Sequence, residues 1–292
     1  MTDAVWTIQR LLAWTTDFFR ERGIENPRLD AEVLLSALLG RDRMYLYVHF
    51  DEPLEQEELA QFRSYVKERA AHMPLAYVLG RREFMGLDFR VTRDTLIPRS
   101  DTEILVQCAV DFLCARMEAG MDELCVADIG TGTGAIALST LHYTERTHAD
   151  AVDISPAAAA VACDNAETLG LTERIDIHVG DLLAPLAGRA YDMILSNPPY
   201  IPSADIADLM PEVRSYEPHL ALDGGADGLD IYRRLTADAP ALLKEGGAIA
   251  VEVGINEAAA VAALMEEHTR IVRTETMKDL GGIDRVVVGY TV

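Results

Sequence analysis

In the N-terminal quarter of the chain, apolar positions recur every three or four residues, and further along the period shortens. Ile8, Leu11, Leu12, Phe18 and Phe19 share one helical face, and Leu29, Val33, Leu34, Leu35, Leu38 and Leu39 share another. Between them Asn26-Pro27 offers an N-cap side chain and a first-turn proline, whose missing N–H a helix start does not need. A third helix is predicted over 55–71. These segments carry no polar constellation suited to chemistry, so their apolar stripes predict the core of a small bundle.

From 76 to 97 the pattern turns to short β-type runs, Ala76-Tyr77-Val78-Leu79 and Leu87-Asp88-Phe89-Arg90-Val91, punctuated by Gly80 and Gly86. They predict a hairpin linking two domains. After a helix over 102–117, strands predicted at 124–129, 149–153, 175–179, 191–196 and 248–253 alternate with helices at 135–141, 156–169 and 229–243. Such alternation implies a parallel sheet covered on both faces by helices. A helix from Glu257 and two runs, 271–275 and 285–290, around a Gly281-Gly282 turn predict a closing antiparallel pair. The expected organisation is a helical domain over 1–75, a linking hairpin over 76–98 and an α/β domain over 99–292.

Composition narrows the choice of partners. At 292 residues, 49% hydrophobic and 25% charged, the chain has the usage of one or two folded domains. Its net charge of -22 opposes a surface that tracks phosphates, so no sequence-specific nucleic-acid binding is expected. Cys108, Cys114, Cys125 and Cys163 form no CxxC pair, and neither they nor the histidines stand at metal-ligand spacing. No apolar run approaches the ~18 residues of a membrane span. A cytoplasmic protein without metal or membrane partner is expected, with Glu217 and Asp223 as solvated loop charges.

Two motifs carry chemistry. Gly130-Thr131-Gly132-Thr133-Gly134 lies between a strand and a helix, where glycine permits positive φ and close approach of a ligand to bare backbone. Nineteen residues beyond Gly134, Asp153 ends the next strand, placed to accept from two ribose hydroxyls. Gly130, Gly132 and Ala135 also satisfy the dinucleotide pattern GxGxxA, so on the loop alone a nicotinamide enzyme and a methyltransferase both stay open. Asp181, directly after the third strand, could receive an adenine amino group while Leu182 packs on the ring. A sulfonium donor needs ribose and adenine holders and an open side, so S-adenosyl-L-methionine is the expected cofactor.

The second motif, Asn197-Pro198-Pro199-Tyr200, follows the fourth strand at the carboxyl edge of the sheet, where open α/β sheets bind ligands. An amide or aromatic NH2 has a delocalised lone pair, and attack on a methyl carbon requires that pair to be localised. The Asn197 side-chain oxygen and the Pro198 carbonyl can each accept one N–H, Pro198 and Pro199 stiffen the turn, and Tyr200 can stack on the planar acceptor. Asn197 also borders the donor. Adenine presents the same kind of NH2, so a nucleic-acid adenine methyltransferase shares this logic.

Over nearly its full length the chain resembles the peptide chain release factor glutamine methyltransferases of the PrmC/HemK type. Leu29-Asp30-Ala31-Glu32 with Leu34-Leu35 looks like that family's N-terminal signature, and Pro74-Leu75-Ala76-Tyr77-Val78-Leu79-Gly80 with Glu83-Phe84 like its approach to the hairpin. Phe84-Met85-Gly86-Leu87 and the segment from Leu96 to Glu103 resemble the part lying over the active site, with Ser100 where proline is usual. Tyr216-Glu217-Pro218, the 221–229 loop and the 279–285 turn are similar as well, whereas Asn256-Glu257 stand where many members carry glutamines. The resemblance implies a Rossmann-like class I methyltransferase sheet of seven strands. It also implies methylation of the glutamine in the Gly-Gly-Gln motif of peptide chain release factors, docked by the helical domain. A ribosomal protein is the alternative substrate, to which the Ser100 departure lends some weight.

Overall fold

The computed structural model describes residues 5–292. Helices α1 (Ile8–Glu21), α2 (Pro27–Leu39), α3 (Arg43–Val48), α4 (Gln56–Ala70) and α5 (Leu75–Leu79) precede strands β1 (Arg81–Phe84) and β2 (Leu87–Arg90). Then come α6 (Glu103–Glu118), β3 (Leu124–Ile129), α7 (Ala135–Tyr143), β4 (Thr147–Asp153), α8 (Pro156–Thr168), β5 (Ile175–Val179) and β6 (Tyr191–Ser196). The chain finishes with α9 (Pro211–Tyr216), α10 (Asp230–Leu242), β7 (Leu243–Glu252), α11 (Ala258–Glu266), β8 (Ile271–Lys278) and β9 (Asp284–Thr291). It divides into two compact units, one reaching to Gly80 and including Met210–Tyr216, the other comprising Arg81–Leu209 and Glu217–Val292.

In the first unit the predicted stripes meet: Ile8, Leu11, Leu12 and Phe19 of α1 pack with Leu34 and Leu35 of α2 and Phe62 and Val66 of α4. Leu29 departs from its expected place and is 40% exposed. Asn26 stands at the start of α2 without a side-chain cap bond, while Pro27 fills the first turn. The buried Arg69 joins Asp30 at 2.7 Å and Glu212 of α9 at 3.0 Å. The run Ala76 to Leu79, expected as a strand, is helical. Pro74 opens α5 and Gly80 closes it in the left-handed conformation, and an apolar run this short has no period to separate the two states.

The second unit carries a seven-stranded sheet in the order β5-β4-β3-β6-β7-β9-β8. β5 through β7 run parallel, and β9 is antiparallel to both β7 and β8. On one face Leu105, Val106 and Leu113 of α6 and Leu138 and Leu141 of α7 cover the strands. On the other, Tyr232, Leu235 and Ala239 of α10 pack with Val261 and Met265 of α11. The hairpin β1–β2 buries Phe84 and Phe89 in the first of these layers. Asn165 of α8 grips the hairpin's Arg90 through both backbone atoms, at 2.8 and 3.0 Å, and also donates to the Thr133 carbonyl at 2.9 Å. From β3 the chain winds outward through β4 and β5 and then returns to place β6 on β3's other side. The crevice at their carboxyl ends is the topological switch point, where ligands enter such sheets. Among the described residues no helix is long and apolar enough to cross a membrane.

Candidate active site

The glycine loop is braced from beneath. Gly130 and Thr131 donate their N–H groups to the Val152 carbonyl of β4 at 2.8 and 3.0 Å. Asp128, fully buried in β3, accepts from the Thr131 hydroxyl at 2.6 Å and from the Ala137 N–H at 3.2 Å, which ties strand, loop and helix together. Burial pushes the Asp128 carboxyl up to about 6 against those two hydrogen bonds. Asp153 accepts from the Gly132 N–H and the Ser155 N–H, both at 2.8 Å, so its carboxylate is oriented before any ligand arrives. Gly130 and Gly132 have φ of +75° and +56°, and a Cβ at either would meet no atom within 4 Å, which leaves bare backbone facing open space.

That space is a cavity of about 340 Å³ lined by Gly130, Thr131, Gly132, Thr133, Asp153, Asp181, Leu182, Asn197 and Pro199, nine of the residues singled out in the sequence. Three others do not reach its wall. Gly134 lies behind the loop, where a Cβ would come 2.9 Å from the Leu138 side chain. Pro198 is buried, and Tyr200 packs beside Gly254, where burial pushes its hydroxyl up to about 12. Asp181 is already paired, at 2.6 Å, with Arg234 of α10, a wall residue the motifs did not point to. Leu182 next to it has φ of 48°, an uncommon left-handed conformation for a branched side chain and the kind of strain that gathers at ligand sites.

At the acceptor side the Asn197 Nδ2 donates to the Thr102 hydroxyl at 3.2 Å, and no described residue donates to its Oδ1 or to the Pro198 carbonyl. Two acceptors at the switch point are therefore unspent. The turn that bears them is clamped by the 221–229 segment: Ile201 N–H donates to the Leu222 carbonyl at 3.0 Å, and Gly224 N–H to the Ile201 carbonyl at 2.9 Å. Gly228 passes so close that a Cβ there would lie 2.4 Å from the Tyr200 carbonyl oxygen.

Glu217 corrects an expectation. It is 6% exposed, accepts from the Ile97 N–H at 3.3 Å and the Arg99 guanidinium at 2.5 Å, and so pins the 97–99 segment beside the cavity. Asp223 is half-buried on the cavity wall and accepts from the Ser203 hydroxyl at 2.6 Å and the Gly225 N–H at 3.0 Å, which depresses its carboxyl. Both had the sequence signature of solvated loop charges, because their partners lie far away in the chain or in backbone atoms that no motif reports.

Residues 10–80 match the model of the PrmC N-terminal domain, and residues 105–211 match the methyltransferase small domain. The catalytic domain of hMettl16 in complex with a 3′UTR hairpin has the same fold, with a TM-score of 0.55, 15% identity, and 82% of this chain and 84% of that one covered. The release factor glutamine methyltransferase of Moorella thermoacetica is 44% identical over 92% of this chain and 93% of its own length. That of Geobacter sulfurreducens is 46% identical over 98% of this chain and 97% of its own. With the class I sheet, both domain matches and likeness of this depth from end to end, the chain belongs to the release factor glutamine methyltransferase family.

Proposed function

We propose that this protein transfers a methyl group from S-adenosyl-L-methionine to the side-chain amide nitrogen of the glutamine in the Gly-Gly-Gln motif of peptide chain release factors. Family membership supports the reaction and its substrate. The observation that carries the mechanism is the state of Asn197, whose Nδ2 is held by Thr102 while Oδ1 and the neighbouring Pro198 carbonyl have no donor among the described residues.

The cavity suits the donor chemically. Its volume falls in the range of small-ligand sites, and it combines bare loop backbone, an oriented carboxylate at Asp153 and a second carboxylate at Asp181 beside the apolar Leu182. Bound there, S-adenosyl-L-methionine supplies an electrophilic methyl carbon. Gly130 to Thr133 would face the donor with bare backbone, Asp153 would accept from its ribose, and Asp181 and Leu182 would hold its adenine. Asn197 Oδ1, on the cavity wall, would accept one N–H of the glutamine amide, and the carbonyl of Pro198, a buried residue off that wall, would accept the other, which directs the nitrogen lone pair toward the methyl group. Pro199 keeps the turn rigid, and Tyr200 anchors it from behind. Holding nucleophile and electrophile in line can lower the barrier by about 7 kcal/mol or more without a strong base. The helical domain over 1–75 docks the protein substrate, the 76–98 stretch links it, and 99–292 performs transfer. A cytoplasmic site of action agrees with the four free cysteines.

The test is to incubate the protein with labelled donor and, separately, a release factor, a ribosomal protein and an adenine-bearing RNA, then map the labelled site by mass spectrometry. Label on the Gly-Gly-Gln glutamine supports the reading, and label only on another substrate overturns it. Asn197→Ala should reduce kcat by about a hundredfold or more with donor binding largely kept, since both acceptors act together. Unchanged turnover in that variant contradicts the mechanism.

A further inference from the structure

Glu252 closes β7, the neighbour of the strand that delivers Asn197: Ser196, the last residue of β6, stands opposite Val251 of β7, which brings Asn197, just beyond β6, and Glu252 to the same carboxyl edge. Glu252 is 1% exposed, and its Oε2 is buried without a hydrogen-bond partner. A buried carboxyl left this way is costly and calls for an explanation. The backbone does not provide one, because the Glu252 carbonyl is already served by the Tyr232 hydroxyl at 2.7 Å.

The side chains facing the carboxyl do. Thr102 and Asn197 stand close enough to favour its charged form. The charged and titratable groups around it are Arg285 and Asp101, with the Tyr200 and Tyr232 hydroxyls nearby. Arg285 is engaged elsewhere, at 3.1 Å from Asp279 and 3.3 Å from Asp101. The Thr102 hydroxyl accepts from Asn197 Nδ2 and still has its own proton to give. An ionised Glu252 is the acceptor in its path.

The order of these groups matters because an asparagine amide has two ends of similar shape and opposite hydrogen-bonding sense. A substrate NH2 needs Oδ1 toward it. If the amide turns over, it offers donors to a donor and the match is lost.

We propose that Glu252 is a positioning residue for methyl transfer, drawing the Thr102 hydroxyl proton so that Thr102 Oγ1 accepts from Asn197 and locks the Asn197 oxygen toward the cavity. This rests on the reading of Asn197 as an acceptor of the substrate NH2. A protonated Glu252 becomes a donor to the same hydroxyl, competes with Asn197 Nδ2 and releases the lock. Burial pushes the Glu252 carboxyl up to about 7, against Thr102, Arg285 and Asn197, so the change falls within the working range of pH.

The experiment measures kcat and KM from pH 6 to 9 in the full chain, with release factor as acceptor. Wild type should lose kcat by about tenfold per pH unit below the Glu252 transition. Glu252→Gln should lower kcat by about tenfold or more, leave the donor KM nearly unchanged and abolish that acid limb. Thr102→Val should do the same, Thr102→Ser should restore activity, and the Glu252→Gln/Thr102→Val double variant should be no worse than the poorer single one. If Glu252→Gln does not fold, the Thr102 pair decides alone. Wild-type kcat with an intact acid limb in Glu252→Gln or Thr102→Val overturns the proposal. An active Asn197→Ala sinks the underlying mechanism instead, which separates the two failures.

Discussion

Replacing Gly228 with alanine tests whether the position of the Asn-Pro-Pro-Tyr turn is set by a close backbone approach. Gly228 has φ of +80°, and an alanine Cβ there would meet the Tyr200 carbonyl oxygen at 2.4 Å and Glu257 Oε1 at 2.6 Å. The left-handed backbone alone costs a residue with a Cβ about 1–2 kcal/mol. The Glu257 side chain can swing away, but the Tyr200 carbonyl is main chain and must retreat by about 1 Å to reach ordinary contact. Tyr200 is three residues from Asn197 on a turn stiffened by two prolines, so the retreat passes to the acceptor atoms. A misplacement of about 1 Å lowers turnover by about a hundredfold. The glycine loop follows β3 and Asp153 ends β4, away from the clamp, so donor affinity should change by no more than about threefold, under 1 kcal/mol. Gly188→Ala is the control, because its φ is +83° with nothing within 4 Å of the added Cβ. Gly188→Ala should lose about 1–2 kcal/mol by denaturant titration and Gly228→Ala more, and only Gly228→Ala should lose kcat. Equal kcat in the two variants would refute the clamp.

Other outcomes follow from the same contacts. Asp128 has its folded pKa raised to about 6, so the folded state binds the extra proton as pH falls and gains stability between pH 6 and 4. The stability of wild type relative to Asp128→Asn should therefore grow by about 2 kcal/mol from pH 7 to 4, and a constant difference in melts across that window would contradict the assignment. Arg234→Ala removes the partner that orients Asp181, so calorimetry should find weaker S-adenosyl-L-methionine binding by about three- to tenfold with stability changed by less than about 1 kcal/mol. Asp30→Ala leaves the buried Arg69 with Glu212 and the Met73 carbonyl, and urea unfolding of the helical unit should register a loss of about 3 kcal/mol, an argument that a loss below about 1 kcal/mol would defeat.

How much was legible in the sequence depended on whether a residue's partners were local. The strands Leu124–Ile129 and Tyr191–Ser196 lie where mainly apolar runs between breakers predict them, because a strand buried on both faces is mainly apolar, whereas Ile175–Val179, at the sheet's edge, is legible from its alternation. β7 starts at Leu243 rather than 248 because it runs through Gly246 and Gly247, which by themselves read as a turn. Helix α3 went unpredicted. It is six residues long, and its start rests on the Asp42 side chain accepting from the Tyr45 N–H at 2.8 Å, a cap too local to register as a period.

The two motifs were readable because each packs its chemistry into four or five consecutive residues at a strand end. Periodicity and those motifs alone determine an α/β sheet, a glycine loop with its carboxylate, and a rigid turn with two free acceptors. Tertiary structure alone decides that β6 lies beside β3, so that Asn197 faces the same cavity as Gly130. It also decides that Thr102, Glu217, Gly228, Arg234 and Glu252 converge on that cavity or its supports. Each of these five acts on a group far from it in the chain, and no local pattern encodes a contact that exists only after the strands have been ordered and their helices closed over them.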